Sequence, residues 1–247
     1  MTSGKKRLIN VTMDGMPEGT YYRVHPKTIK KNGVEVRCDP CDANPYSRAR
    51  LAWIEPPDGW PSQIGMTYVS PQPAGALFEV VLRKARFLGN KRISCSRSAL
   101  HGVCLSRLRL LRDASVVPIT LPGRHLIIPP SDESAYAKEL HEEWDLISRT
   151  GDYGPTHMAV RDVAQQCTVA YRQLAGFQWA SKQEPKADVF LLYSPPANKS
   201  VWELQETIEL DTAAGWNEIA QALWKINSYV LFDIQAEDGF DPPPGDD

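Results

Sequence analysis

The sequence predicts an α+β domain, and three observations lead there. Segments with strand periodicity and segments with helix periodicity neither alternate regularly nor separate into two blocks. No G-x-G-x-x-G or G-x-x-x-x-G-K-[ST] run is present to hold phosphates in a doubly wound parallel sheet. At 247 residues and 42% hydrophobic, the chain is long enough for one large core with room for an appendage.

Taken in order, residues 1–19 read as an N-terminal arm, because Lys5, Lys6 and Arg7 lead into the turn-forming Asp14-Gly15 and Pro17-Glu18-Gly19. Tyr21-Tyr22-Arg23-Val24 has the composition of a strand. The Pro- and Gly-rich stretch from Asp39 to Gly65 is a loop long enough to suggest a functional role. Met66-Thr67-Tyr68-Val69 is a second strand, with Ser70 as the expected N-cap of a helix carrying Ala76, Leu77, Val80 and Val81. Residues 102–128 are sheet material broken by Pro118 and Pro122-Gly123.

Two amphipathic helices are expected next. One runs through Tyr136, Leu140, Trp144 and Ile147; the other through Val160, Val163, Ala164, Cys167, Tyr171 and Leu174, stopped by Gly176. Asp188–Tyr193 is a strand ended by Ser194-Pro195-Pro196. A further helix spans Asp211–Ile226, and the Asp- and Pro-rich tail Gln235–Asp247 has a disordered composition. The organisation read from this is an arm (1–19), a main domain (20–195) and a C-terminal extension (196–247) with one helix and an acidic tail.

A formal net charge of −2 removes any polycationic pull toward nucleic acid or an anionic membrane, so direct nucleic-acid binding is not expected. The acid-free stretch Arg83–Arg112 is the one local exception; it reads as a solvated face or the partner of an acidic segment. Five cysteines cannot all pair, and no apolar run reaches the ~20 residues of a membrane span, so reduced thiols, a cytoplasmic location and no membrane are expected. Cys38-Asp39-Pro40-Cys41 with Cys95 and Cys104 imitates a zinc set, but eight residues separate the second pair where two to four are usual, and no metal is expected. His25, His101, His125, His141 and His157 show no clustering and read as incidental.

Glu79 is the single charged side chain between Met66 and Leu82. An ionised carboxylate among apolar neighbours is costly without a partner. A surface pair with Arg83 at i,i+4 and a carboxylate reserved for substrate stand on equal footing from this segment alone. Arg23 and Arg50 are guanidinium groups suited to gripping a pyrophosphate, or are surface arginines.

The order of these pieces resembles the RES-domain family, named for its Arg, Glu and Ser. The resemblance spans roughly residues 20–195 and is carried by Tyr22-Arg23-Val24, Arg50, Tyr68-Val69-Ser70-Pro71 running into Ala76-Leu77-Phe78-Glu79-Val80, and Gly176-Phe177-Gln178-Trp179-Ala180-Ser181. It implies an ADP-ribosyltransferase-like fold, a central pair of β-sheets flanked by helices, and degradation of NAD⁺ by phosphorolysis or hydrolysis. It also implies the toxin of a toxin–antitoxin pair, with an antitoxin partner usually carrying a helix-turn-helix. A homo-oligomer is left open.

In that likeness Glu79, Arg50 and Arg23 are the catalytic set, while Tyr68, Ser181, Tyr22 and Arg48 contact substrate. NAD⁺ is then the substrate, inorganic phosphate a co-substrate, and no metal takes part. Two departures stand out: Ala49-Arg50-Leu51 replaces the usual Gly-Arg-aromatic context, which keeps Arg48 as a competing assignment, and Trp179 stands where a tyrosine is usual. The residue types suit the chemistry. The cationic nicotinamide ring takes the bonding pair and departs as neutral nicotinamide, leaving an oxocarbenium-like ribose, which a carboxylate stabilises more than a strong acid does.

Overall fold

The computed structural model describes residues 14–31, 33–44, 64–83, 85–88, 90–118, 174–181 and 186–232. The expected helices at 136–147 and 160–174, the strand residues 119–128, Arg48, Arg50, Cys167 and the tail 235–247 lie outside them.

The described chain is a mixed α+β structure. Its first half runs β1 (Asp14–Met16), β2 (Gly19–Pro26), β3 (Thr28–Lys31), β4 (Val34–Arg37), β5 (Gly65–Val69), α1 (Pro73–Glu79), β6 (Arg86–Phe87), β7 (Arg92–Cys95), β8 (Val103–Leu110) and β9 (Ala114–Pro118). The second half adds β10 (Gly176–Ala180), β11 (Asp188–Ser194), β12 (Trp202–Glu209), α2 (Ala213–Lys225) and β13 (Tyr229–Phe232). A five-stranded sheet has the order β1-β9-β10-β11-β5, and a three-stranded sheet the order β12-β8-β2. A small sheet β13-β7-β6 and the β3-β4 hairpin complete the set.

Strand alternation decides which faces meet. Tyr21, Leu108, Leu110 and Trp202 of the three-stranded sheet share one core cluster with Val69, Phe190, Leu192 and Val116 of the five-stranded sheet. The rings of Tyr21 and Phe190 meet edge to face at 5.8 Å across this interface. Val24 and Leu105, one residue out of phase with Tyr21 and Leu108, turn to the other face and pack with Ala74, Leu77 and Phe78 of α1 and Ile219, Ala222 and Leu223 of α2. The three-stranded sheet therefore lies between the larger sheet and the two helices.

Helix α2 is locally well specified. The Thr212 hydroxyl accepts from the Gly215 amide at 3.2 Å, and Gly215, Ile219, Ala222 and Leu223 form the buried stripe. It ends in a Schellman turn: Asn227 adopts a left-handed φ of 60°, its N–H reaches the Trp224 carbonyl at 2.9 Å, and the Ser228 N–H reaches the Leu223 carbonyl at 2.8 Å.

Several expectations are corrected. Helix α1 ends at Glu79, not beyond Val81; the consecutive β-branched Val80-Val81 leave the helix, and the Leu82 amide turns back to the Leu77 carbonyl at 2.9 Å. Gln72, not Ser70, occupies the N-cap position and makes no side-chain cap bond. The end of the arm is sheet: β1 is the edge strand beside β9, and Met16 is fully buried. Residues 202–225, set apart by the sequence as an extension, supply β12 and α2 to the core.

Candidate functional site

The β5–α1 junction is the structural hinge of the candidate site. Ser70, fully buried, pairs with Tyr22 through both backbone bonds, Tyr22 N–H to Ser70 O at 2.7 Å and Ser70 N–H to Tyr22 O at 3.0 Å. Its hydroxyl donates to the Asp188 carbonyl at 2.7 Å and accepts from the Gln72 amide at 3.2 Å. One residue thus ties β2, β11 and the entry of α1. The close packing explains Gly75, where an added Cβ would meet the Ser70 Oγ at 2.3 Å.

Tyr68 and Ser181 belong to one face of the five-stranded sheet. Register places Tyr68 opposite Leu191, which in turn lies opposite Phe177. Trp179 and Ser181 follow Phe177 at two-residue steps and share its face. The Tyr68 and Trp179 rings meet edge to face at 6.0 Å, as do Phe177 and Tyr193. This is the face away from the three-stranded sheet, since Val69 and Phe190 take the other. The Ser181 backbone is pinned by its N–H to the Ala187 carbonyl at 2.9 Å. Its side chain is 2% exposed, and its hydroxyl has no hydrogen-bond partner among the described residues. A buried, unsatisfied hydroxyl costs about 1–3 kcal/mol and is the kind of group a ligand satisfies.

Arg23 occupies a different surface. It is 6% exposed, and its Nη1 donates to the carbonyls of Pro40 and Asp42, the latter at 2.7 Å, so that it clasps the Cys38–Asp42 turn. Among the described residues no carboxylate lies within 4 Å of it: Asp39 is bonded by Lys199, and Asp42 lies 3.8 Å from Lys31. Burial pushes the guanidinium below its usual pKa, while Cys38, Cys41, Asp42 and Asp39 pull the other way. Tyr22, one residue earlier, points to the opposite side of β2, packs against the α1–α2 cluster and lies 5.9 Å beneath the Arg107 guanidinium.

Glu79 is half-buried at the last position of α1, on the helix side of the three-stranded sheet. Among the described residues nothing is bonded to its carboxylate. Because the helix ends there, the helical i,i+4 spacing that would pair it with Arg83 is not formed.

The structure therefore links the elements of the candidate site through Ser70 without gathering the side chains of Arg23, Tyr68, Glu79 and Ser181 around one described cavity. The described cavities have other walls. One of about 390 Å³ is lined by His25, Lys27, Arg37, Cys38, Asp39, Pro40, Cys104, Leu204 and Thr207. Another, on the basic stretch, is lined by Arg97, Ser98, His101, Asp211 and Trp216, with Arg97 stacked 4.0 Å over the Trp216 ring.

His25, read from sequence as incidental, is the functional candidate that sequence reasoning missed. It is 4% exposed and hydrogen-bonded at both ring nitrogens, to Pro26 O and to Ser106 Oγ, each at 2.8 Å. The available signal was the two-residue step from Arg23, which places both side chains on one face of β2. The basic stretch has acidic partners, which β12 supplies in part: Arg107 lies 3.5 Å from Glu206 and Arg109 lies 3.8 Å from Glu18.

Cys38, Cys41, Cys95 and Cys104 are buried and form no disulfide, and the described residues hold no group of three or more His, Cys, Asp or Glu placed to bind a metal. No described helix is long and apolar enough to cross a membrane. Comparison with family models, curated proteins and solved structures finds no match.

Proposed function

We propose that this chain degrades NAD⁺ by breaking the nicotinamide–ribose bond, through phosphorolysis or hydrolysis, as the toxin of a toxin–antitoxin pair with a RES-like, ADP-ribosyltransferase-like fold. The observation that carries this reading is Arg23. A guanidinium 94% removed from solvent, with two carbonyls but no carboxylate to neutralise it, carries a desolvation cost that an anionic ligand offsets. A pyrophosphate presents paired oxygens to the N–H groups that Nη1 leaves uncommitted.

The remaining roles come from the family resemblance and its chemistry and not from a shared pocket, since Arg23, the Tyr68–Ser181 face and Glu79 lie on three separate surfaces. The Glu79 carboxylate, unbonded among the described residues, would face the positive charge that develops on ribose as nicotinamide departs. The unsatisfied Ser181 hydroxyl would bond the ribose or an incoming phosphate, and Tyr68, steadied by Trp179, would pack against the nicotinamide ring. Arg50, or Arg48 in its place, would complete the grip on phosphate. Ser70 would hold the strands bearing Arg23, Tyr68 and Ser181 in register with α1.

A helix-turn-helix antitoxin would restrain the activity. Of the alternative, a catalytically dead nucleic-acid or protein binding module, the nucleic-acid form is less well supported, because Arg107 and Arg109 face acidic partners. The test is incubation of purified protein with NAD⁺, with and without phosphate, following nicotinamide release and the phosphorus NMR spectrum. Nicotinamide release with ADP-ribose or its 1″-phosphate as co-product supports the proposal. Release coupled to a labelled protein acceptor converts it to ADP-ribosyl transfer, and no loss of NAD⁺ refutes both.

A further inference from the structure

We propose that the cleft between the three-stranded sheet and the Arg37–Pro40 segment is a second ligand site, built for a small phosphorylated polyol. The apolar face that the sheet turns to its larger neighbour at Tyr21, Leu108 and Trp202 becomes polar further along the same strands. There Arg23, Ser106 and Thr207 stand in one row, and His25, Cys104 and Glu209 in the next. His25, Cys104 and Thr207 open into the cavity of about 390 Å³, whose walls include Lys27, Arg37, Cys38 and Asp39. That volume is ample for a ligand of this size.

The floor is a hydrogen-bond chain with a fixed direction. The Pro26 carbonyl, 2.8 Å from His25 Nδ1, only accepts, so Nδ1 carries the ring proton. Nε2 of the neutral ring then accepts, and the Ser106 hydroxyl 2.8 Å away donates to it. Ser106 Oγ accepts in turn from the Thr207 hydroxyl at 2.7 Å. Thr207 has spent its proton and shows only lone pairs to the cleft. A ligand must therefore bring an O–H or N–H donor to that point.

The wall charges ask for the other half of the ligand. Lys27 is engaged by Glu209 at 2.8 Å, and Asp39 by Lys199. Arg37, exposed and without an ion pair among the described residues, is the charge left over and favours an anion. Hydroxyl donor at one end and anion at the other define a sugar phosphate. Neither Thr207 nor Arg37 belongs to the proposed NAD⁺ pocket, so the two sites are tested separately.

The experiment is calorimetric titration of the full chain with ribose 5-phosphate, and with sulfate and ribose as the anion-only and hydroxyl-only arms, on wild type, Thr207→Val, Thr207→Ser and Arg37→Gln. Ribose 5-phosphate should bind more tightly than either arm. Thr207→Val should weaken it roughly tenfold while leaving sulfate unchanged, Thr207→Ser should retain it, and Arg37→Gln should weaken both anions. No binding of ribose 5-phosphate at millimolar concentration, sulfate binding as tightly as the sugar phosphate, or an unchanged affinity in Thr207→Val would each overturn the proposal. Should Thr207→Val fail to fold, the sulfate arm and Arg37→Gln still decide it.

Discussion

Acid should destabilise this protein through His25. Burial, the largest cause, pushes its pKa down from 6.5 to about 4; Arg23 and Arg37 act in the same direction, and the Pro26 carbonyl and Asp39 oppose them. Between those two values the unfolded chain holds the proton and the folded chain does not, so stability is complete above pH 6.5 and is lost as pH falls toward 4. At ~1.4 kcal/mol for each tenfold change in proton affinity, the span amounts to roughly 3 kcal/mol, a large share of the ~5–15 kcal/mol that holds a typical domain. The structural reason is the relay: a protonated Nε2 faces Ser106 as a donor and forces the whole chain to Thr207 to reverse. Urea unfolding followed by tryptophan fluorescence at pH 7, 6, 5 and 4.5, in wild type and His25→Gln, isolates this group from the carboxylates that titrate alongside it. Wild type should lose about 2.5 kcal/mol more than the variant between pH 7 and 4.5. Parallel stability curves for the two proteins would refute the reasoning.

Gly176→Ala should cost about 3 kcal/mol or more by urea unfolding, because the new Cβ would sit 1.8 Å from the Leu191 carbonyl oxygen, which is held in the strand ladder. Ser70→Ala should cost about 1–2 kcal/mol, since it removes the hydroxyl bonded to the part-buried Asp188 carbonyl and loosens the junction of β2, β11 and α1. Lys27→Met should leave the melting temperature unchanged, its ion pair with Glu209 being exposed on both sides. Pyrophosphate should raise the melting temperature of wild type but not of Arg23→Gln, because only the former holds a buried cation lacking a carboxylate.

Local pattern made much of the fold legible. The strands at Tyr21–Val24, Met66–Val69 and Asp188–Tyr193 and the helix at 211–226 are found close to where period and composition place them. Long-range pairing was not legible. Strand β12 carries Glu203, Glu206 and Glu209 and reads as a polar extension, yet it is made a strand by β8, whose Arg107 and Arg109 stand opposite Glu206 and Glu203. The His25–Ser106–Thr207 relay joins residues 81 and 101 positions apart, each unremarkable in its own segment.

For the candidate site, the family resemblance assigns Tyr22 and Arg23 to one pocket, whereas β2 turns them to opposite faces, and the sequence gives no hint that Arg23 clasps the Cys38–Asp42 turn. Nor does it show that Ser70 acts as a tie between strands and not as a helix cap.

The most direct test of the NAD⁺ reading is the rate of nicotinamide release by wild type and Glu79→Gln, each purified and checked by thermal melting. Glutamine keeps the size of the half-buried side chain at the end of α1 and removes only its charge. Release should fall by roughly 10²-fold or more, with the melting temperature nearly unchanged. Equal rates of release in the two proteins, or no release by wild type, would contradict the account.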